Sequence, residues 1–133
     1  MEKEKAKRMT LDDIVKAKMK RDQDKLTVKE IKVPSIGMSL LFRRPTRNEI
    51  CDFMDNIYGS DQTTEDMIGL FEQLIYTCCE DLHKQELLEE LGIENPDDVV
   101  QSIMDEADIL TVGDEVASLN PLYDTYANEE KNS

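Results

Sequence analysis

The 133-residue sequence predicts a mostly α-helical, α+β fold: a small bundle of about five helices, an N-terminal β-hairpin, and a basic helix ahead of it. Three observations predict it. From Ile50 to Leu119 apolar residues recur at intervals of three and four, the spacing of one helix face. Between Leu26 and Arg43 they alternate instead, on either side of the turn-forming stretch Pro34–Gly37. Helix-start signals, Thr46-x-x-Glu49 and Asn95-Pro96, mark where the pattern restarts.

Residues 1–24 read as a basic helical arm. Thr10 and Asp13 have capping-box spacing, and Leu11, Ile14, Val15 and Met19 form one stripe among Lys and Arg. With so few apolar anchors this helix is expected at the periphery, or ordered against a partner. Residues 25–44 read as a hairpin: Leu26, Val28, Ile31 and Val33 alternate with a slip at Glu30, and Met38–Arg43 returns. Two strands alone are marginal, so the hairpin must lean on helices.

Residues 45–122 form the helical bundle. The first helix carries Ile50, Phe53, Met54, Ile57 and Tyr58 and stops at Gly59. The next starts near Thr63 or Thr64 and places Met67, Phe71, Leu74, Ile75, Cys78 and Leu82 on its main stripe, as the central and most buried helix. A short helix at 84–91 ends at Gly92, another is expected at 96–106, and a last one at 111–119, closed by Asn120-Pro121. Residues 123–133 read as a disordered tail.

Charge is divided along the chain. Residues 1–48 hold 14 Lys and Arg against 7 Asp and Glu, whereas residues 49–133 hold 2 against 23. Solvated acidic helix faces account for part of this. A division this large also points to a partner or to self-association. Three cysteines, two of them adjacent, make no disulfide framework. The charged run Glu2–Arg8 lacks the apolar stretch of a secretory signal, and no apolar run spans a bilayer, so a reducing cytoplasm is the expected location.

Chemistry of a catalytic or metal kind is not indicated. Cys51, Cys79 and the single histidine, His83, are too few and too scattered for a zinc site, and Cys78 lies on the apolar stripe. Nothing in the pattern orients His83 toward a cysteine nucleophile. Asp55–Asp66 lacks the alternating ligands of a calcium loop, and Gly59, Gly69 and Gly92 are isolated rather than part of a phosphate loop. The chain is therefore expected to be non-enzymatic and to need no cofactor. The cations of residues 1–48 raise nucleic-acid binding, but no aromatic residues interleave with them and the acidic remainder opposes a phosphate backbone. An acidic regulatory or inhibitory binder, such as a nucleic-acid mimic or antitoxin, is the alternative reading.

Taken in order, residues 26–122 resemble the short tail assembly chaperones of phages and defective prophages of Gram-positive bacteria. The resemblance rests on a strand pair leading through Phe42-Arg43-Arg44-Pro45-Thr46-Arg47-Asn48-Glu49 into a helix, and on Leu74-Ile75-Tyr76-Thr77-Cys78-Cys79 at a helix end. Gln85-Glu86-Leu87-Leu88-Glu89-Glu90-Leu91-Gly92 and Asp98-Val99-Val100-Gln101-Ser102-Ile103-Met104 come next, before a closing helix with Val112 and Val116. Residues 1–25 lie outside it. The resemblance implies a chaperone that coats the long helical tape measure protein before the tail tube polymerises around it, and that leaves before the virion is complete. It implies the tape measure protein as client, with the tail tube protein and further copies of the chain as other partners, and it makes the expected cytoplasm that of a bacterial host.

Candidate client contacts are Arg43, Arg44, Arg47, Met54 and Met67. Helix-in-groove recognition through methionines, Met38 and Met104 included, competes with their use as core filler. The basic residues 1–25 are expected to dock on acidic helices of the same or a neighbouring subunit. The family resemblance also implies two product lengths made by −1 frameshifting. Glu130-Lys131-Asn132 accommodates an A-AAA-AAY slippery heptamer. The gene is expected to carry that heptamer with an overlapping −1 frame, and GAG or AAG codons there would count against it.

Overall fold

The computed structural model describes residues 6–59 and 61–132, so residues 1–5 of the basic arm and Ser133 of the tail lie outside the described residues. The order of elements is α1 (Leu11–Asp24), β1 (Val28–Val33), β2 (Met38–Arg43), α2 (Arg47–Ile57), α3 (Thr64–Cys78), α4 (Gln85–Leu91), α5 (Val99–Ile103), α6 (Glu106–Ser118) and α7 (Pro121–Asn132). Glu80–His83 and Pro96–Asp98 are 3₁₀ turns. The mostly helical α+β architecture with one antiparallel hairpin is as the sequence predicts.

Four of the helices start on the same device. Thr10, Thr46, Thr63 and Asp105 sit in extended backbone, and each side chain accepts the N–H three residues on, while Asp13, Glu49, Asp66 and Asp108 reach back to the cap N–H. Each pair satisfies two of the donors that a helix start leaves orphaned. The Asp105–Asp108 box is not among the start signals read from the sequence, and it changes the plan of the C-terminal half. The expected helix 96–106 is a 3₁₀ turn followed by the five-residue α5, and the last expected helix begins at Glu106 rather than Thr111. Met104, in extended backbone between them, is buried in the core. Burying that side chain requires the break, and Asp105 then caps α6.

The C-terminus departs from expectation in the same way. Where the sequence reading expects a disordered tail over 123–133, α7 continues from Pro121 to Asn132. Pro121 occupies the first helical position, where its missing N–H costs nothing. The Asn120 side chain accepts the Leu122 N–H at 3.1 Å and donates to the Pro45 carbonyl at 3.3 Å. Tyr123 is buried, its ring 6.1 Å from that of Phe53 and its hydroxyl donating to Asp114 Oδ1 at 2.7 Å. One buried aromatic and one capping amide hold a segment that composition alone marks as polar.

At the centre, α3 packs on α6. Phe71, Leu74, Ile75 and Cys78 of α3 meet Ile109, Val112, Val116 and Ala117 of α6 in one buried cluster. Gly113 lets them approach: a β-carbon there would lie 2.5 Å from Phe71 Cδ1 and 2.8 Å from its Cβ. The hairpin lies against this pair. Its register pairs Val28 with Arg43 and Val33 with Met38, which resolves the slip at Glu30: Ile31, Val33 and Phe42 face inward, while Val28 faces out. Ser35, in the turn, donates its N–H to Asp108 Oδ1 at 3.0 Å and its hydroxyl to Oδ2, tying the hairpin to the start of α6. Asp108 is only 2% exposed. The Ser35 hydroxyl is the main reason its carboxyl stays below the usual range.

Replacing Gly113 by alanine forces Phe71 or the α6 backbone to move. Gly113→Ala is expected to lower stability by about 1–3 kcal/mol, the range for overpacking a tight core, read as a lower urea midpoint with unchanged slope. An unchanged midpoint would show that the α3–α6 approach is not limiting.

Candidate protein-binding surface

Folding leaves the N-terminal third of the described chain with most of the uncovered apolar side chains. None of the residues of α1 is buried. Leu11 is 80% exposed, and Ile14, Val15 and Met19 on the same stripe are exposed too, as are Leu26, Val28, Ile36, Met38 and Leu41 of the hairpin region. Val28 and Leu41 are diagonal neighbours on the outer face of the hairpin. Each such side chain gains about 1.5–3 kcal/mol when fully buried, so this stripe holds binding energy that the fold does not use.

α1 is also marginal as a helix by itself. Isolated helices shorter than about 12–15 residues are unstable in water, and α1 has 14. Its capping box and the exposed pairs Lys16–Asp12 and Lys18–Asp22 favour helix, but solvent and salt screen such pairs. Within the described residues no packing adds to them.

The residues singled out from sequence fall into two groups. Arg43 belongs to the fold. Its guanidinium meets Glu49 in a two-pronged ion pair at 2.7 and 2.9 Å and donates to the Thr77 carbonyl at 3.2 Å, joining the end of β2 to the start of α2 and the end of α3. Met54 is 7% exposed and fills the core. Arg44 and Met67 are half-buried, and Arg47 is exposed at the first position of α2. Structure does not gather these five into one patch. The stripe on α1 was legible as amphipathic periodicity, but the absence of anything packed on it is a tertiary fact.

A groove runs between α3 and the α5–α6 junction, with a volume of about 970 Å³. Ile68, Ile103 and Met104 line it with the carboxylates Glu65, Glu72 and Glu106, and no cation is among its lining residues. Burial, reinforced by Asp98 and Asp97, raises the Glu72 carboxyl above its ordinary value. The groove is therefore mixed in lining, with Ile68 and Ile103 among polar and acidic side chains, and short of positive charge.

The cysteines and histidine occupy structural positions. Burial pushes the Cys78 thiol up to about 12 and raises Cys79 as well, which leaves both protonated and unreactive at neutral pH. His83 Nε2 lies 2.6 Å from the Tyr76 carbonyl oxygen, so that nitrogen carries the proton, and its ring packs against that of Tyr76 at a tilt of 51°. Among the described residues no cluster of three or more His, Cys, Asp or Glu is placed to hold a metal ion, and no helix is long and apolar enough to cross a membrane.

The Arg43 guanidinium holds Glu49 at about 2, well below its ordinary 4.5. A carboxyl depressed on folding contributes stability above its unfolded value, and that contribution is lost as pH falls from 4.5 toward 2. With part of the pair in solvent, the loss is on the order of 1 kcal/mol. Glu49→Gln is expected to be less stable than the parent at pH 7 and to lose less stability between pH 5 and 2, as read from urea midpoints; parallel pH curves would refute the assignment. Comparison with known proteins found no matching family model, no similar curated protein and no similar solved structure.

Proposed function

We propose that this chain is a non-catalytic assembly chaperone of a phage or prophage tail, binding the tape measure protein in the host cytoplasm and keeping it soluble until the tube forms around it. One observation carries the protein-binding part: a series of uncovered apolar side chains between Met9 and Leu41, mounted on a folded body of strong negative charge. The apolar segment supplies grip. The body, with 23 acids against 2 bases over residues 49–133, supplies repulsion between neighbouring coated complexes. A long helical client exposes apolar stripes along its length, and a chaperone that covers them must add charge outward. The client's identity rests on the resemblance of residues 26–122 to the tail assembly chaperones.

The hairpin's outer face is the part of the segment assigned to the client. Val28 and Leu41 are solvent-exposed, so charge at either position leaves the core intact. Co-expression with a long coiled-coil tape measure protein encoded beside this chain is expected to raise the soluble fraction of that client and to co-purify the two. Val28→Asp with Leu41→Asp is expected to weaken binding about tenfold or more, equivalent to at least about 1.4 kcal/mol. A client equally soluble with and without the chain would end the chaperone reading.

A further inference from the structure

Two glycines sit inside the long central helices, and only one is explained from within. At Gly113 a β-carbon would strike Phe71. At Gly69, in the middle of α3, it would meet nothing within 4 Å. Glycine weakens a helix relative to alanine, so a mid-helix glycine calls for a close approach. Gly69 opens on the groove between α3 and the α5–α6 junction, where bare backbone is presented outward.

The chain carries a surface that complements this groove. The stripe of Leu11, Ile14 and Val15 on α1 is exposed, and residues 16–21 contain Lys16, Lys18, Lys20 and Arg21 with no acid. Lys18 lies within the stripe by helical spacing, and Lys16 and Arg21 flank it. The groove offers apolar lining and carboxylates without a cation. Helix-in-groove recognition uses this combination of an apolar stripe and complementary charged edges.

We propose that α1 of one copy docks in the α3–α5–α6 groove of a second copy, its Leu11–Ile14–Val15 stripe against Ile68, Ile103 and the bare backbone at Gly69, with its cations facing Glu65, Glu72 and Glu106. The arrival of a cation relieves the crowding of Glu72 by Asp97 and Asp98. In this structure α1 is not seated in the groove of its own body, since none of its residues is buried. α1 enters β1 through a bonded turn, with Leu26 N–H donating to the Gln23 carbonyl at 3.0 Å and Thr27 N–H to Asp24 at 3.2 Å. That root lies at the open end of the hairpin, whereas the opposite end, at Ser35, is held beside the groove by Asp108. Six-residue strands place about 20 Å between the two ends. Across two copies the exchange is reciprocal, arm to groove and groove to arm, which closes a symmetric pair.

Sedimentation velocity on the full chain, with no client present, tests this. Wild type is expected to associate at micromolar concentration and to dissociate as salt is raised, since screening shortens the reach of charge to about 8 Å at physiological ionic strength. Ile14→Asp with Val15→Asp removes the arm's stripe, and Gly69→Gln fills the groove; each is expected to weaken association about tenfold or more, with thermal midpoints not lowered, because all three positions are open to solvent. An equimolar mixture of the two variants retains one intact arm and one intact groove per pair, and is expected to regain heterodimer at high concentration. Wild type that stays monomeric at about 100 µM, association that survives Gly69→Gln, or a mixture that stays monomeric would each overturn the proposal. Failure here leaves the client reading standing, because that reading is measured through Val28, Leu41 and the client's solubility.

Discussion

The contact between Phe71 and Gly113 sets the rest of the structure. With no β-carbon at residue 113, α6 comes onto α3 more closely than two ordinary side chains permit, and the two helices form the wall on which other elements pack. The hairpin depends on that wall: Ile31, Val33 and Phe42 have a buried surface to face, and Asp108, at the start of α6, is in position to take both donors of Ser35. So does the groove. Met104 turns inward to the same core where the chain breaks between α5 and α6, and an acidic trough runs beside that break along α3.

A second constraint is electrostatic. The body has so few cations that most of its carboxylates cannot be paired internally, Lys84 with Asp81 being a surface exception, and the positive charge lies mainly in residues 1–48. Arg43 is the exception that joins the two regions, since its bond to Glu49 locks the hairpin to α2 and α3. The remaining cations of the arm are spread around a helix that buries nothing. A chain built this way has its attraction and its repulsion in different places. In the function proposed above, grip at one end and charge on the body would serve a long apolar client.

Much of the fold was legible because local rules decide it. The Thr46–Glu49 box, the stripe Ile50–Phe53–Met54, the turn at Pro34–Gly37 and the stop at Gly92 all act within a few residues, and each element stands where those signals place it. The departures share one cause. Asp105 and Tyr123 are polar by composition, yet one caps a helix forced to restart by a buried methionine and the other fills a site beside Phe53. In the same way Arg43 looked available as a contact, and Met54 as a sticky one, until Glu49 and the core took them.

The sequence by itself determined where α1 to α4 begin, which of their faces are apolar, and how charge is divided between arm and body, because propensity, capping and periodicity depend on neighbours three or four residues apart. Only the tertiary structure decided which apolar faces find a partner within the chain. α1 and the bundle helices carry the same kind of stripe, but the stripe of α3 is covered by α6, whereas no residue of α1 is buried among the described residues. Likewise the two helical glycines are indistinguishable in the sequence, and the structure separates them: Gly113 is filled by Phe71, whereas Gly69 faces open space. Burial is a property of chain segments far apart in sequence, and no local pattern contains it.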